Sequence, residues 1–216
     1  MTRSWDRLAA AGGLLGVALS LGGFAVIAAS GFAAQPGAST QDISRILDEG
    51  SAGVAVAGIY IDTLGSLFFI LFIARLWAAL RQAEGQPAWL SVAAFGSGIL
   101  MVVAGLGDKI AYYGIVLAAD SDLSAEAVAP LYYIVAGSFL LFQTFGGLFL
   151  LTTGAAVLRT GALVRWLGWA GVVVGGAAIA LGAVPGPGML VFPFFVLTVA
   201  ALSVALLRRP LEVGAA

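Results

Sequence analysis

Six apolar stretches divide this chain almost from end to end, over residues 8–32, 53–77, 89–118, 130–158, 166–184 and 189–207. A helix needs about 20 residues to cross a hydrocarbon core of about 30 Å, and each stretch is close to or above that length. The pieces between them are short and polar, so no soluble domain fits. The sequence therefore predicts one domain over 1–216, an all-α polytopic bundle of six transmembrane helices. Composition agrees: 61% of the 216 residues are hydrophobic and only 10% are charged, against about 25% charged in a typical soluble domain. Membrane lipid is the one partner this composition demands.

The basic residues set the orientation. Arg3, Arg7, Arg75, Arg81, Arg159, Arg165, Arg208 and Arg209 fall at one set of span ends, while the opposite loops hold only Arg45. Those opposite loops are acidic, with Asp42, Asp48 and Glu49 in the first and Asp120, Asp122 and Glu126 in the second. Both termini are expected on the cytoplasmic side of the cell membrane. The first apolar run, after Arg3 and Arg7, is longer than the apolar region of about 7 to 15 residues in a secretory signal, and is read as a retained span.

The acidic-side loop over 33–52 contains TQDISRILDEG at 40–50. Thr40 reads as an N-cap, Ile43, Ile46 and Leu47 form one stripe, and Gly50 ends the turn, which predicts a short amphipathic surface helix. A similar short cap is expected over 121–126, with Ser124 in the N-cap place. The stretch VPGPG at 184–188 reads as a tight turn. Trp77, Trp89, Trp166 and Trp169 form an aromatic belt on the arginine side, and Tyr112, Tyr113, Tyr132 and Tyr133 form another on the opposite side.

Cysteine and histidine are both absent, which excludes disulfides, thiolate chemistry and every triad or metal site built on them. A net charge of −1 without a clustered basic surface gives no reason to expect nucleic acid. No catalytic residue, metal set or cofactor is predicted.

What remains is a small set of polar groups inside the apolar runs. Asp62 lies in the second, and Asp108 and Lys109, the only lysine, lie in the third. An ionised group in hydrocarbon costs at least about 2.5 to 3.5 kcal/mol on insertion scales, so such residues face a partner, a cavity or a pathway. At about 1.5 Å per residue, Asp62 sits roughly 28 Å above Arg81 and Lys109 roughly 30 Å above Trp89. Equal depth on helices joined by a short turn predicts an ion pair. Neighbours in sequence point about 100° apart, so Asp108 is expected to face Tyr132, Tyr133, Gln143 or water instead.

Gln143 enters through a local repeat. DTLGSLF at 62–68 aligns with QTFGGLF at 143–149, each span ends in Leu-Arg, and Trp89-Leu90 and Trp166-Leu167 open the spans that follow. The pattern is that of a parallel two-helix internal repeat, with convergence in a Gly-, Leu- and Phe-rich composition as the alternative. It puts Gln143 at the place of Asp62.

Asp62, Asp108, Lys109 and Gln143 are thus the candidate binding residues, lining an outward-facing polar pocket for a small molecule or ion in a transporter. Two other classes stay open: an accessory or sensory subunit acting by helix contacts, with Asp62 and Lys109 fixing helix packing, and an intramembrane enzyme using an Asp as general acid on a lipid or isoprenoid. A homo-oligomer, docked through glycine faces such as 171–175, and a small hydrophobic or polar ligand are the partners to test.

The turn LRQAEGQPAWLS at 80–91 leading into AFGSG at 94–98, and LRTGALVRWLGW at 158–169 leading into a Gly- and Val-rich helix, resemble a broad group of bacterial, largely actinobacterial, six-helix membrane proteins classed as a domain of unknown function. The resemblance covers most of the chain and implies a fold and a compartment. It carries no catalytic motif.

Overall fold

The computed structural model describes residues 3–32, 38–121, 123–182 and 187–209. Among them the chain forms helices α1 (Arg3–Ala29), α2 (Thr40–Glu49), α3 (Ala52–Glu84), α4 (Trp89–Ala119), α5 (Ala125–Thr160), α6 (Arg165–Leu181) and α7 (Pro187–Leu207), with no strand. Five of these, α1, α3, α4, α5 and α7, are long and apolar enough to cross a membrane, and the chain is a multi-pass helical membrane protein. The sixth expected span is α6, whose 17 residues reach about 26 Å and fall short of that length criterion.

Helix ends follow local chemistry. Gly85 and Gly161, with φ of 69° and 67°, end α3 and α5 by donating their N–H to the Arg81 and Val157 carbonyls, a backbone shape that disfavours any residue with a Cβ. The start of α4 is capped from outside: the Glu84 carboxylate accepts from the N–H of Leu90 at 3.1 Å, the N–H of Ser91 at 2.8 Å and the Ser91 hydroxyl at 2.8 Å. Arg159 closes the same corner, its guanidinium 3.7 Å from Glu84. One carboxylate therefore ties the α3–α4 turn to the foot of α5.

Two expected boundaries move. The cap of α2 is Ser39 rather than Thr40: its hydroxyl accepts from the Asp42 N–H while the Asp42 side chain accepts from the Ser39 N–H, a reciprocal box that needs an acid three residues after the cap. Over 121–126, where residue 122 lies outside the described residues, no separate short helix forms. Instead Ser124 precedes a continuous α5 that contains Pro130; a proline near the helix start loses only one backbone bond and is carried by the packing that follows. Of the 184–188 turn, 184–186 lie outside the described residues, and α7 begins at Pro187, where the missing N–H costs nothing.

The helices close into a ring in the order α1, α3, α4, α5, α6, α7 and back to α1, with α3 and α5 also touching across the middle. Ser203 of α7 donates to the Ala10 carbonyl and accepts from the Leu14 N–H of α1, so the start of α1 and the end of α7 lie together. The α3–α4 and α5–α6 turns share that basic end. α2 lies at the other, acidic end, with Ile43 buried beside Phe32, Tyr112 and Val128.

Between helices in lipid, close packing must supply what the hydrophobic effect cannot, and glycine permits it. Along α1 and α3 a Cβ on Gly12, Gly16 or Gly23 would fall 2.5, 2.8 and 2.6 Å from Phe68, Phe69 and Asp62 respectively. Along α5 and α6, Gly147, Gly154, Gly171 and Gly175 interlock in the same way, with 2.5 Å from a Gly175 Cβ to the Gly147 carbonyl oxygen. The 171–175 face is thus occupied inside the bundle and does not offer itself to a second copy. Both copies of the repeated heptad lie on such a seam, yet the seam partner α1 precedes α3 whereas α6 follows α5.

Two apolar clusters fill the ring. One, toward the basic end, centres on Phe72, Ile73, Met101, Phe149, Leu150 and Leu202; the other, under α2, holds Ile27, Phe32, Ile59, Tyr112, Ile115 and Tyr132. Asp62 and Lys109 fall between them in sequence and in space.

Candidate functional site

Asp62 is placed by the α1–α3 seam. Gly23 presses against its backbone, so Asp62 is held close to α1 and its carboxylate is directed to α4. Lys109 answers from α4: its Nζ lies 3.0 Å from Asp62 Oδ2. The same ammonium donates to the Gly105 carbonyl at 2.7 Å and to Asp108 Oδ1 at 3.4 Å. An ammonium has three donors, and here three acceptors of the protein surround it.

The pairing with Asp108 overturns the expectation that these neighbours diverge. The cause is side-chain length. Helical side chains lean toward the N-terminus over the preceding turn, so the four-carbon stem of Lys109 carries Nζ back to Gly105, where the short Asp108 side chain also reaches it. Neither tyrosine expected beside Asp108 bonds to it, and its hydrogen bond is to Lys109. Tyr132 is buried in the α2 cluster and its hydroxyl has no hydrogen-bond partner among the described residues, while Tyr133 is 72% exposed.

Gln143 does not join them. It is buried and faces the end of α6, where a Cβ on Gly182 would lie 3.1 Å from its Oε1, and it borders a small apolar void shared with Ala178, Val191 and Phe195. The void holds about 10 Å³, the scale of one water. The repeat placed Gln143 at the right depth but on the far side of α5. Asp62 and Gln143 are alike in that each backs onto a glycine of its seam partner, Gly23 or Gly182.

The layer is largely enclosed, with side-chain exposures of 9% for Lys109, 14% for Asp62 and 26% for Asp108. A depression of about 300 Å³ opens at the acidic end between α2 and the α4–α5 connection, bordered by Ser44, Asp48, Ser121, Ser124 and Glu126. Neither this depression nor the void beside Gln143 includes Asp62, Asp108 or Lys109. Among the described residues no group of three or more acidic side chains is arranged to hold a metal ion.

A second charged contact escapes a reading of the sequence. Arg75, which reads there as a flank of the second span, is 4% exposed at its side chain and sits with Nε 2.6 Å from Asp6 Oδ1. Its Nη2 donates to Asp6 Oδ2 at 3.3 Å and to the Arg209 carbonyl at 3.0 Å. Arg75 thereby joins α1, α3 and the end of α7. The signal that could have found it is Asp6 itself, an acid set between Arg3 and Arg7 on the side where basic residues collect. Thirteen residues separate Asp62 from Arg75 on α3, about 20 Å, and the aromatic cluster around Phe72 and Phe149, whose rings meet edge to face at 6.4 Å, fills the interval.

No family model matches this chain, and no curated protein or solved structure matches it.

Proposed function

We propose that this protein binds a small ion or polar molecule at the layer of Asp62, Asp108 and Lys109 and passes it through a six-span bundle of the cytoplasmic membrane, with both termini in the cytoplasm. The observation that carries this reading is the pair of carboxylates on one ammonium inside the apolar span. A packing contact needs one acid for one base, and the extra acid is a cost in hydrocarbon that a binding site explains. The sixth span is α6, which runs beside α5 from Gly168 against Leu158 to Gly182 against Gln143. The resemblance to bacterial six-helix membrane proteins belongs to this proposal. Gln143 is left out of the site.

The test is flux in proteoliposomes. Asp62→Asn, Asp108→Asn and Lys109→Met are each expected to cut ion movement at least about tenfold while the purified protein still elutes as a folded species. Equal flux in all three would end the reading.

A second reading, an accessory subunit acting by helix contacts, is favoured by a different observation: every donor of Lys109 Nζ is satisfied by the protein itself, and neither cavity reaches the layer. On that reading the same variants lose a co-purifying partner, and no flux is seen in the wild type.

A further inference from the structure

We infer that the ion taken by this layer is a proton, carried by Asp108, an inference that rests on the ion-binding reading above. A charge count leads to it. Two carboxylates and one ammonium leave one negative charge in excess, and the side chains that bear it are mostly withdrawn from water. Asp62 and Lys109 are the charged groups acting on Asp108 among the described residues. From the neighbouring helices, Gly23 on α1 presses against Asp62, and Ser138 and Phe142 on α5 lie over Gly107 and Gly105. None of these adds a positive charge. One bound proton makes the layer neutral.

Geometry chooses the site of that proton. Asp62 is the nearer partner of Lys109, at 3.0 Å against 3.4 Å for Asp108, and it is the less exposed of the two. When a hydronium ion gives its proton to the Asp108 carboxylate, a carboxylic acid and a water result, and Lys109 keeps Asp62 and the Gly105 carbonyl as a neutral pair. Release to water reverses the step, and Lys109 is again shared by two anions. Lys109 is a positioning residue in this cycle; Asp108 carries the proton.

The charge count makes an unusual set of expectations for infrared spectroscopy of the full-length protein in lipid nanodiscs, read at the carbonyl stretch of protonated carboxylic acids and identified by its shift in heavy water. At one fixed pH the wild type shows one such band from the layer, and Asp108→Asn shows none. Asp62→Asn also shows none, because the remaining acid and the lysine balance. Lys109→Met shows two, and the Asp62→Asn/Lys109→Met double variant shows one again. The double variant carries no unpaired charge and so guards against misfolding of the single changes.

A wild-type spectrum without the band, or a band that survives Asp108→Asn, overturns the inference. Proteoliposomes with an internal pH dye separate it from the reading beneath it. If flux of sodium or another ion depends on Asp62 and Asp108 while the protonated band is absent, ion binding stands and the proton is overturned. If the bands follow the count but no ion moves, the proton site stands and transport falls.

Discussion

Gly23 of α1 backs directly onto Asp62 of α3: a Cβ at Gly23 would lie 2.6 Å from the Asp62 nitrogen and 2.7 Å from its Cβ. The buried acid is therefore positioned by an absence of side chain on another helix. Gly23→Ala must push α1 away or displace Asp62, and overpacking of this kind costs typically about 1 to 3 kcal/mol. A Cβ on the neighbouring Gly22 would meet nothing within 4 Å, so Gly22→Ala should stay within about 0.5 kcal/mol. Thermal unfolding of both variants in one detergent checks the contrast; equal losses would refute the seam.

The pair of Asp62 and Lys109 predicts a non-additive cycle. Removing one partner of a buried ion pair costs about 3 to 5 kcal/mol, whereas replacing both by apolar residues is often nearly neutral. Lys109→Met, which leaves two buried acids without their cation, should lower the unfolding temperature clearly. Asp62→Leu, which leaves Asp108 to balance Lys109, should lower it less, and the double variant should recover most of the Lys109→Met loss. Additive losses would mean that the two side chains do not act on each other.

Arg75 gives a second cycle on the basic side. Asp6→Ala leaves a guanidinium buried without its carboxylate and should cost about 3 to 5 kcal/mol by the same argument. Truncation after Leu207, which removes the Arg209 carbonyl partner, should cost less. If Asp6→Ala unfolds at the wild-type temperature, the contact contributes no stability.

Asp42 supplies a pH dependence. The Ser39 hydroxyl and the Ser39 N–H hold its carboxyl below the ordinary value of 3.8. A depressed folded value means that the contribution is complete above pH 3.8 and is lost as pH falls below it toward the folded value. Protection factors for hydrogen exchange across α2, corrected for the slower intrinsic exchange in acid, should therefore fall in the wild type as pH drops below 3.8, and Ser39→Ala should lower them already at neutral pH. Exchange unaffected by either change would show that the box does not hold α2.

Topology has a direct check. Reporter fusions after Arg81 and after Arg159 should both read cytoplasmic, and a fusion after Gly182 should read exterior if α6 crosses. A cytoplasmic signal after Gly182 would leave five spans.

Depth was legible in the sequence and direction was not. Position along a helix axis is linear in residue number, at about 1.5 Å per residue, so the apolar runs located the long helices and counting from Arg81 and Trp89 put Asp62 and Lys109 at one level. One-sided arginines and acidic loops likewise separated the two ends, and the stripe of Ile43, Ile46 and Leu47 located α2. Azimuth turns by about 100° per residue and acquires meaning only once neighbours are chosen. That choice, made by the glycine seams, turned Gln143 toward α6, set the 171–175 face against α5 and buried Arg75 against Asp6. The reach of a flexible lysine decided the rest: local periodicity sent Asp108 and Lys109 to different faces, and the folded chain brought both carboxylates to one ammonium because a long stem can cross the angle that separates two adjacent Cβ atoms.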